Sequence, residues 1–153
     1  MSFIDRSQTY TKVLLAGLCL FLAACAGSPP SNLGVTNGRL APCPGSPNCV
    51  SSFASDEDHA VAPWEYSGTP GAARSKLLRL LEETENATVI TSDPDYIRAE
   101  FESALMGFVD DVEFLIEQQK VQVRSASRLG YSDLGANRSR INELKARFQP
   151  CCQ

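Results

Sequence analysis

The sequence predicts an α+β domain: a small antiparallel sheet of about four to five strands packed with two main helices. Three observations carry this. A helical apolar period runs from Thr69 toward Asn86, strict two-residue alternation runs through several later stretches, and a second helical period closes the chain. Helices and strands are segregated and joined by short connections, which indicates a helix layer on an antiparallel sheet.

Thr69-Pro70 opens the first helix, with Thr as N-cap and Pro at the first helical position. Ala73, Leu77, Leu80 and Leu81 then share one face, while Arg74, Arg79, Glu82 and Glu83 cover the other. Thr88–Thr91 is a short β-branched strand stopped by Ser92-Asp93-Pro94. In Tyr96–Ser103, Ile97, Ala99 and Phe101 alternate with Arg98, Glu100 and Glu102. In Phe108–Ile116, the residues Phe108, Asp110, Val112, Phe114 and Ile116 share a face.

Val121 and Val123 continue the alternation after a turn at Gln118-Gln119. Pairing Ile116 with Val121 and Phe114 with Val123 keeps apolar residues together. The same register sets Glu113 opposite Arg124 on the outer face, and Val112 opposite Ser125 and Asp110 opposite Ser127 on the core face. The closing helix is expected over Asn137–Gln149, with Ile141, Leu144 and Phe148 inward and Pro150 as the stop. Ala62–Tyr66 is a candidate further strand. Trp64 reads as a packing aromatic, and His59, within an acidic stretch, as a residue of a solvated loop.

The first 24 residues read as a processing signal. Arg6 and Lys12 precede the ten-residue apolar run Val13–Leu22, too short to span a bilayer as a helix. The run ends in Leu22-Ala23-Ala24-Cys25, which resembles the lipobox of bacterial lipoproteins and implies lipidation (palmitate among the acyl chains) at Cys25. The competing reading is an ordinary secretory signal cut near Ala24. Ala26, rather than Asp, after the lipidated Cys favours the outer membrane, facing the periplasm, over the inner membrane. Residues 25–41 are expected to be a flexible tether with little to bury, and 42–153 the single α+β domain.

From Cys25 onward the chain has 129 residues, 12 basic and 17 acidic. Residues 25–119 carry 5 basic and 15 acidic side chains and residues 120–153 carry 7 basic and 2 acidic, so the basic tail is expected to fold onto the acidic body. A nucleic-acid partner does not fit an acidic, exported chain. The partners expected are the membrane, through the lipid anchor, and an anionic small molecule or envelope protein.

Of six cysteines, Cys19 leaves with the signal and Cys25 is taken by lipid. The remaining four allow three connectivities. The Pro/Gly-rich loop from Cys43 to Cys49 favours a Cys43–Cys49 disulfide in an oxidising compartment. Cys151 and Cys152, being adjacent, are left free or cross-bonded. Neither the paired spacing of a zinc site nor a C-x-x-C redox pair is present, and no cofactor is expected.

Two motifs, Cys43-Pro44-x-Ser46-Pro47-Asn48-Cys49-Val50-Ser51-Ser52 and the run Arg124–Ile141, together with Phe108-Val109-Asp110-Asp111-Val112-Glu113-Phe114, resemble the domain of unknown function 1499 family over roughly Leu40–Phe148. The resemblance implies no activity.

The run from Arg124 to Ile141 is also the candidate site. It is dense in Arg, Ser, Asp and Asn at the edge of a core, where polar groups must be paired or serve a ligand. The candidate residues are Asp110, Asp111, Arg124, Ser125, Ser127, Arg128, Asp133, Asn137, Arg138 and Arg140. Arg138 and Arg140 lie in the first turn of the closing helix, where the dipole disfavours cations and calls for a compensating anion. The preferred reading is an Asp–Arg–Asn network clamping the last hairpin to the last helix. The competing one is a bound carboxylate or phosphate. No nucleophile–base pair is visible. The functional expectation is a non-catalytic binding or accessory lipoprotein of the cell envelope, with an enzyme acting on an anionic envelope metabolite as the alternative.

Overall fold

A computed structural model describes residues 27–104 and 106–149. Cys25, Cys151, Cys152 and the signal segment lie outside the described residues. The elements are β1 (Cys49–Ser51), β2 (Trp64–Glu65), α1 (Pro70–Glu82), β3 (Ala87–Ser92), β4 (Tyr96–Glu102), β5 (Val109–Glu117), β6 (Lys120–Ser127) and α2 (Ala136–Phe148). The fold is α+β, and its six-stranded antiparallel sheet runs β1-β6-β5-β4-β3, with β2 also pairing β6. The strand count exceeds the expected four to five by β1, three residues long and too short to alternate visibly; β2 falls within the candidate strand Ala62–Tyr66, and the two lie end to end along β6.

The β5–β6 register is the one that side-chain patterning predicts: Ile116↔Val121, Phe114↔Val123, Glu113↔Arg124, Val112↔Ser125 and Asp110↔Ser127. Gln119 takes a left-handed conformation (φ 63°) in the turn between the two strands. Thr69 caps α1 as expected, its hydroxyl accepting from Ala72 N at 3.2 Å. The helix stops short of Asn86, where the Thr84 hydroxyl bonds back to the Leu80 carbonyl (2.7 Å).

One face of the sheet carries the main core. Ala73, Leu77 and Leu81 from α1 and Ile141, Leu144 and Phe148 from α2 pack on Ile97, Val112, Phe114, Val121 and Val123. Trp64 is fully buried between Phe114 and Phe148, with ring centroids 5.4 Å from each, so it is a packing aromatic.

The opposite face departs from expectation. Patterning puts Glu113 and Arg124 opposite each other on the outer face; they do pair, yet they are 0% and 3% exposed. The residues assigned to a tether supply part of the cover. Leu40 is buried with Tyr96, Leu115 and Phe53 in a second small core, and Gly34 N donates to Glu113 Oε1 at 2.7 Å. Alternation marks two faces of different polarity. It does not say that the polar one meets water, because charges that pair with one another can be covered.

Candidate functional site

The loop from Arg128 to Gly135 sets up the start of α2. Gly135, at φ 84°, is the N-cap and offers no side chain. Asp133 caps the helix in its place. The Asp133 carboxylate accepts from Gly135 N (3.0 Å), Asn137 N (2.7 Å) and Asn137 Nδ2 (2.8 Å). Burial pushes the Asp133 pKa up, but the hydrogen bonds from Asn137 and Gly135 outweigh it and hold the group below the usual carboxylate range. The anion that the dipole calls for at this helix end is therefore Asp133.

Asn137, fully buried, is the hub of the helix-side cluster. Its Oδ1 accepts from Ser125 Oγ (2.5 Å) and Arg140 Nη1 (2.8 Å). Its Nδ2 faces Asn48 O (3.0 Å), Ser127 Oγ (2.9 Å) and Asp133. Arg140 Nη1 reaches Ser125 Oγ (3.1 Å), Nη2 pairs with Asp110 Oδ2 (2.6 Å), and the guanidinium lies 4.9 Å from the Phe101 ring centroid. Asp110, the carboxylate in an otherwise apolar row, is thus satisfied by Arg140.

Asn48 belongs to this cluster, although sequence reasoning does not single it out. It is 4% exposed. It donates to Gly130 O (2.7 Å), and its carbonyl accepts from Ser127 N (3.0 Å) as well as from Asn137. The Cys43–Cys49 disulfide (Cα–Cα 5.6 Å) closes the loop that holds it. The available signal is its place inside the first of the two long motifs; Asn48 and Asn137 join those motifs in space.

Three of the remaining candidates, Asp111, Arg124 and Arg128, lie across the sheet, so the single predicted cluster is divided in two, with Arg138 apart from both. Asp111, 1% exposed, accepts from Arg128 Nε (2.8 Å) and Nη2 (2.9 Å) and from Arg98 Nη1 (2.7 Å). Arg128 Nη2 also pairs with Glu100, and these acidic partners raise the Arg128 pKa, with Asp111 the largest cause. Arg124 Nη1 donates to Glu113 Oε2 (2.8 Å), and Tyr96 Oη donates to Glu113 Oε1 (2.9 Å). Burial first, and Glu113 second, push the Tyr96 pKa above the usual tyrosine range. In the sequence Arg98, Glu100, Glu113 and Tyr96 are only strand pattern; their function in the layer becomes visible once the face is known to be covered.

Arg124 Nε is buried without a partner among the described residues. Arg124 and Arg128 form one wall of a cleft of about 380 Å³, whose other wall is built from Ser28, Pro30, Asn32 and the start of the disulfide loop.

Geometry corrects one expectation and refines another. Arg138 meets none of Asp110, Asp111 or Asp133. It donates to the carbonyls of Ala60 (2.7 Å) and Asp58 (2.8 Å), pinning the turn before β2 to α2. His59 does sit in an exposed turn, residues 55–58 being exposed, but its own side chain is only 13% exposed because it is held on both sides. Its Nδ1 meets Asp56 Oδ1 (2.5 Å) and its Nε2 meets Ser46 O (3.1 Å). Two acceptors require two N–H donors, which is the imidazolium form. The Asp56 hydrogen bond, then the Ser46 carbonyl, accordingly raise the His59 pKa.

The basic tail does fold onto the acidic body. Arg124, Arg128, Arg140 and Arg147 pair with Glu113, Asp111 and Glu100, Asp110, and Glu83. A family model described as a protein of unknown function (DUF1499) matches residues 39–148. No curated protein matches the chain.

Proposed function

We propose that this chain, which belongs to the DUF1499 family, acts as a non-catalytic binding or accessory module of the cell envelope, held by lipid at Cys25 and taking a small anionic group in the cleft beside Arg124. The outer membrane, facing the periplasm, is the favoured location. The observation that carries the binding reading is a cleft of about 380 Å³ lined by Arg124 and Arg128, in which Arg124 is 3% exposed and its buried Nε has no partner among the described residues. A buried donor without an acceptor is costly, and an anionic oxygen is the group that satisfies a guanidinium best.

The helix-side cluster supports the accessory part of this reading. Asp110, Asn137 and Arg140 satisfy one another, and Asp133 occupies the helix N-terminus where an anion would otherwise sit. That cluster is a clamp between α2, β5, β6 and the disulfide loop. No observation favours the enzyme alternative: both ring nitrogens of His59, the chain's one histidine, are engaged in holding its own turn.

The test has two parts. Mass spectrometry of the mature N-terminus reads the anchor, with acylated Cys25 expected; a chain that starts elsewhere and carries no lipid refutes it. Titration of the isotope-labelled mature protein with inorganic phosphate and with acetate reads the cleft. Amide shifts confined to residues 28–32, 42–44 and 124–128 are expected. Shifts absent there, or centred on the start of α2, refute the assignment.

A further inference from the structure

One end of the sheet is unusually apolar toward solvent. Among the described residues seven large apolar side chains are exposed, and five stand at this end: Met106 (56%), Phe108 (40%), Leu129 (44%), Tyr131 (75%) and Leu134 (97%). Met106 and Phe108 are on the β4–β5 turn; the other three are on the loop between β6 and α2. Strand register fixes both connections at one end, since Phe101 pairs with Asp110 and Asp110 with Ser127. Arg128 N donates to Val109 O (3.2 Å) and ties the two together.

Fold stability does not account for Leu134. Its side chain is 97% exposed, and its backbone is left-handed at φ 54°. A non-glycine residue there is strained, a cost that persists where the conformation serves something else.

The described chain begins at this same end. Gly27 lies so close to the loop that a Cβ on it would stand 3.1 Å from Arg128 Cβ and 3.2 Å from Leu129 Cγ. Cys25 is two residues upstream of Gly27 in the sequence. We propose that this end is a membrane-docking surface, in which Leu134, Tyr131 and Leu129 enter the headgroup–acyl boundary beside the acyl chains of Cys25.

A leucine and a tyrosine suit that boundary, one apolar and one with a polar tip. The loop's own carboxylate, Asp133, is turned onto the α2 amides. Docking fixes the orientation of the domain, with the sheet end-on to the bilayer, which acyl chains on a free tether would not do. The proposal rests on the lipid anchor argued above.

The test uses the full-length protein, processed in its membrane and reconstituted into phosphatidylcholine vesicles carrying lipids brominated on the acyl chains. Leu134→Trp and, at an unstrained position, Tyr131→Trp are compared with Ile90→Trp, an exposed apolar site on the edge strand β3. Trp64 is fully buried and contributes the same background to all three. Emission from positions 134 and 131 should be quenched severalfold more than from position 90. Equal quenching at all three, or none, in protein whose mass spectrum shows acylated Cys25 overturns the docking surface and leaves the anchor standing. An unacylated Cys25 overturns the anchor and the docking with it.

Discussion

Removing Glu113 should unfold this domain more readily than removing any surface charge. Glu113 is 0% exposed and accepts from Arg124 Nη1, Tyr96 Oη and Gly34 N at 2.7–2.9 Å. Glu113→Leu leaves Arg124 buried with its principal partner gone and its Nε already unpaired. Breaking a buried pair from one side costs about 3–5 kcal/mol. For a domain near the size of this one, 1 kcal/mol corresponds to about 4 °C, so the midpoint should fall by about 12–20 °C. The double variant Glu113→Leu/Arg124→Met removes both charges and should recover most of the loss. What remains is the unmet Tyr96 hydroxyl and Gly34 amide, at about 1–3 kcal/mol. Urea unfolding of the parent, both single variants and the double variant closes the cycle. A spectrophotometric titration of Glu113→Leu should also find Tyr96 ionising at lower pH than in the parent. A single variant that loses less than about 1 kcal/mol, or a double variant no better than the worse single, would refute the claim that this pair is buried and coupled.

Other outcomes follow from the same geometry. The raised pKa of His59 means the imidazolium stabilises the 56–60 turn. That contribution is complete below the ordinary value of about 6.5 and is lost as pH rises through the folded-state pKa. Melts across neutral pH should show this decline, and His59→Ala should flatten it. Arg138→Ala should cost only about 1–2 kcal/mol, because it frees carbonyls that water can reach, and an added Asp110→Asn should recover none of it in urea melts. Cys43→Ser/Cys49→Ser should cost about 2 kcal/mol by loop entropy, read as a drop in urea midpoint at unchanged m-value.

The register of the hairpin Val109–Ser127 was legible, because the apolar pairs Ile116/Val121 and Phe114/Val123 and the charge pair Glu113/Arg124 fit one alignment and a slip by one residue would break all three. The Cys43–Cys49 bond was legible from a short loop rich in proline and glycine. Arg138 was not, because helix position locates a side chain's origin and not the reach of a guanidinium, which here crosses to a carbonyl 80 residues earlier in the chain. The covered layer of Glu113, Arg124, Asp111 and Arg128 stayed hidden for a related reason. Its partners Gly34 and Leu40 come from a polar, glycine- and proline-containing segment whose own composition gives no sign of docking. Asn48 was hidden among turn residues, where an asparagine is ordinary; only its contact with Asn137 distinguishes it.

The place of β1 in the sheet has a consequence for the order of assembly. The strands β3, β4, β5 and β6 form a meander in which each pairs with its neighbour in sequence. Such local pairings close small loops and form early. Apart from a local bridge between Ser51 and Ala60, β1 pairs with β6, joining Cys49 to Ala126, and so cannot take its place in the sheet until almost the whole chain is present. The disulfide, by contrast, spans a sequence separation of only 6 and needs no sheet. The loop that carries Asn48 is therefore available as a preformed, cross-linked plug before the meander exists to receive it. The Asn48 contact of the Asn137 clamp and the disulfide-loop wall of the cleft beside Arg124 form only when that loop docks.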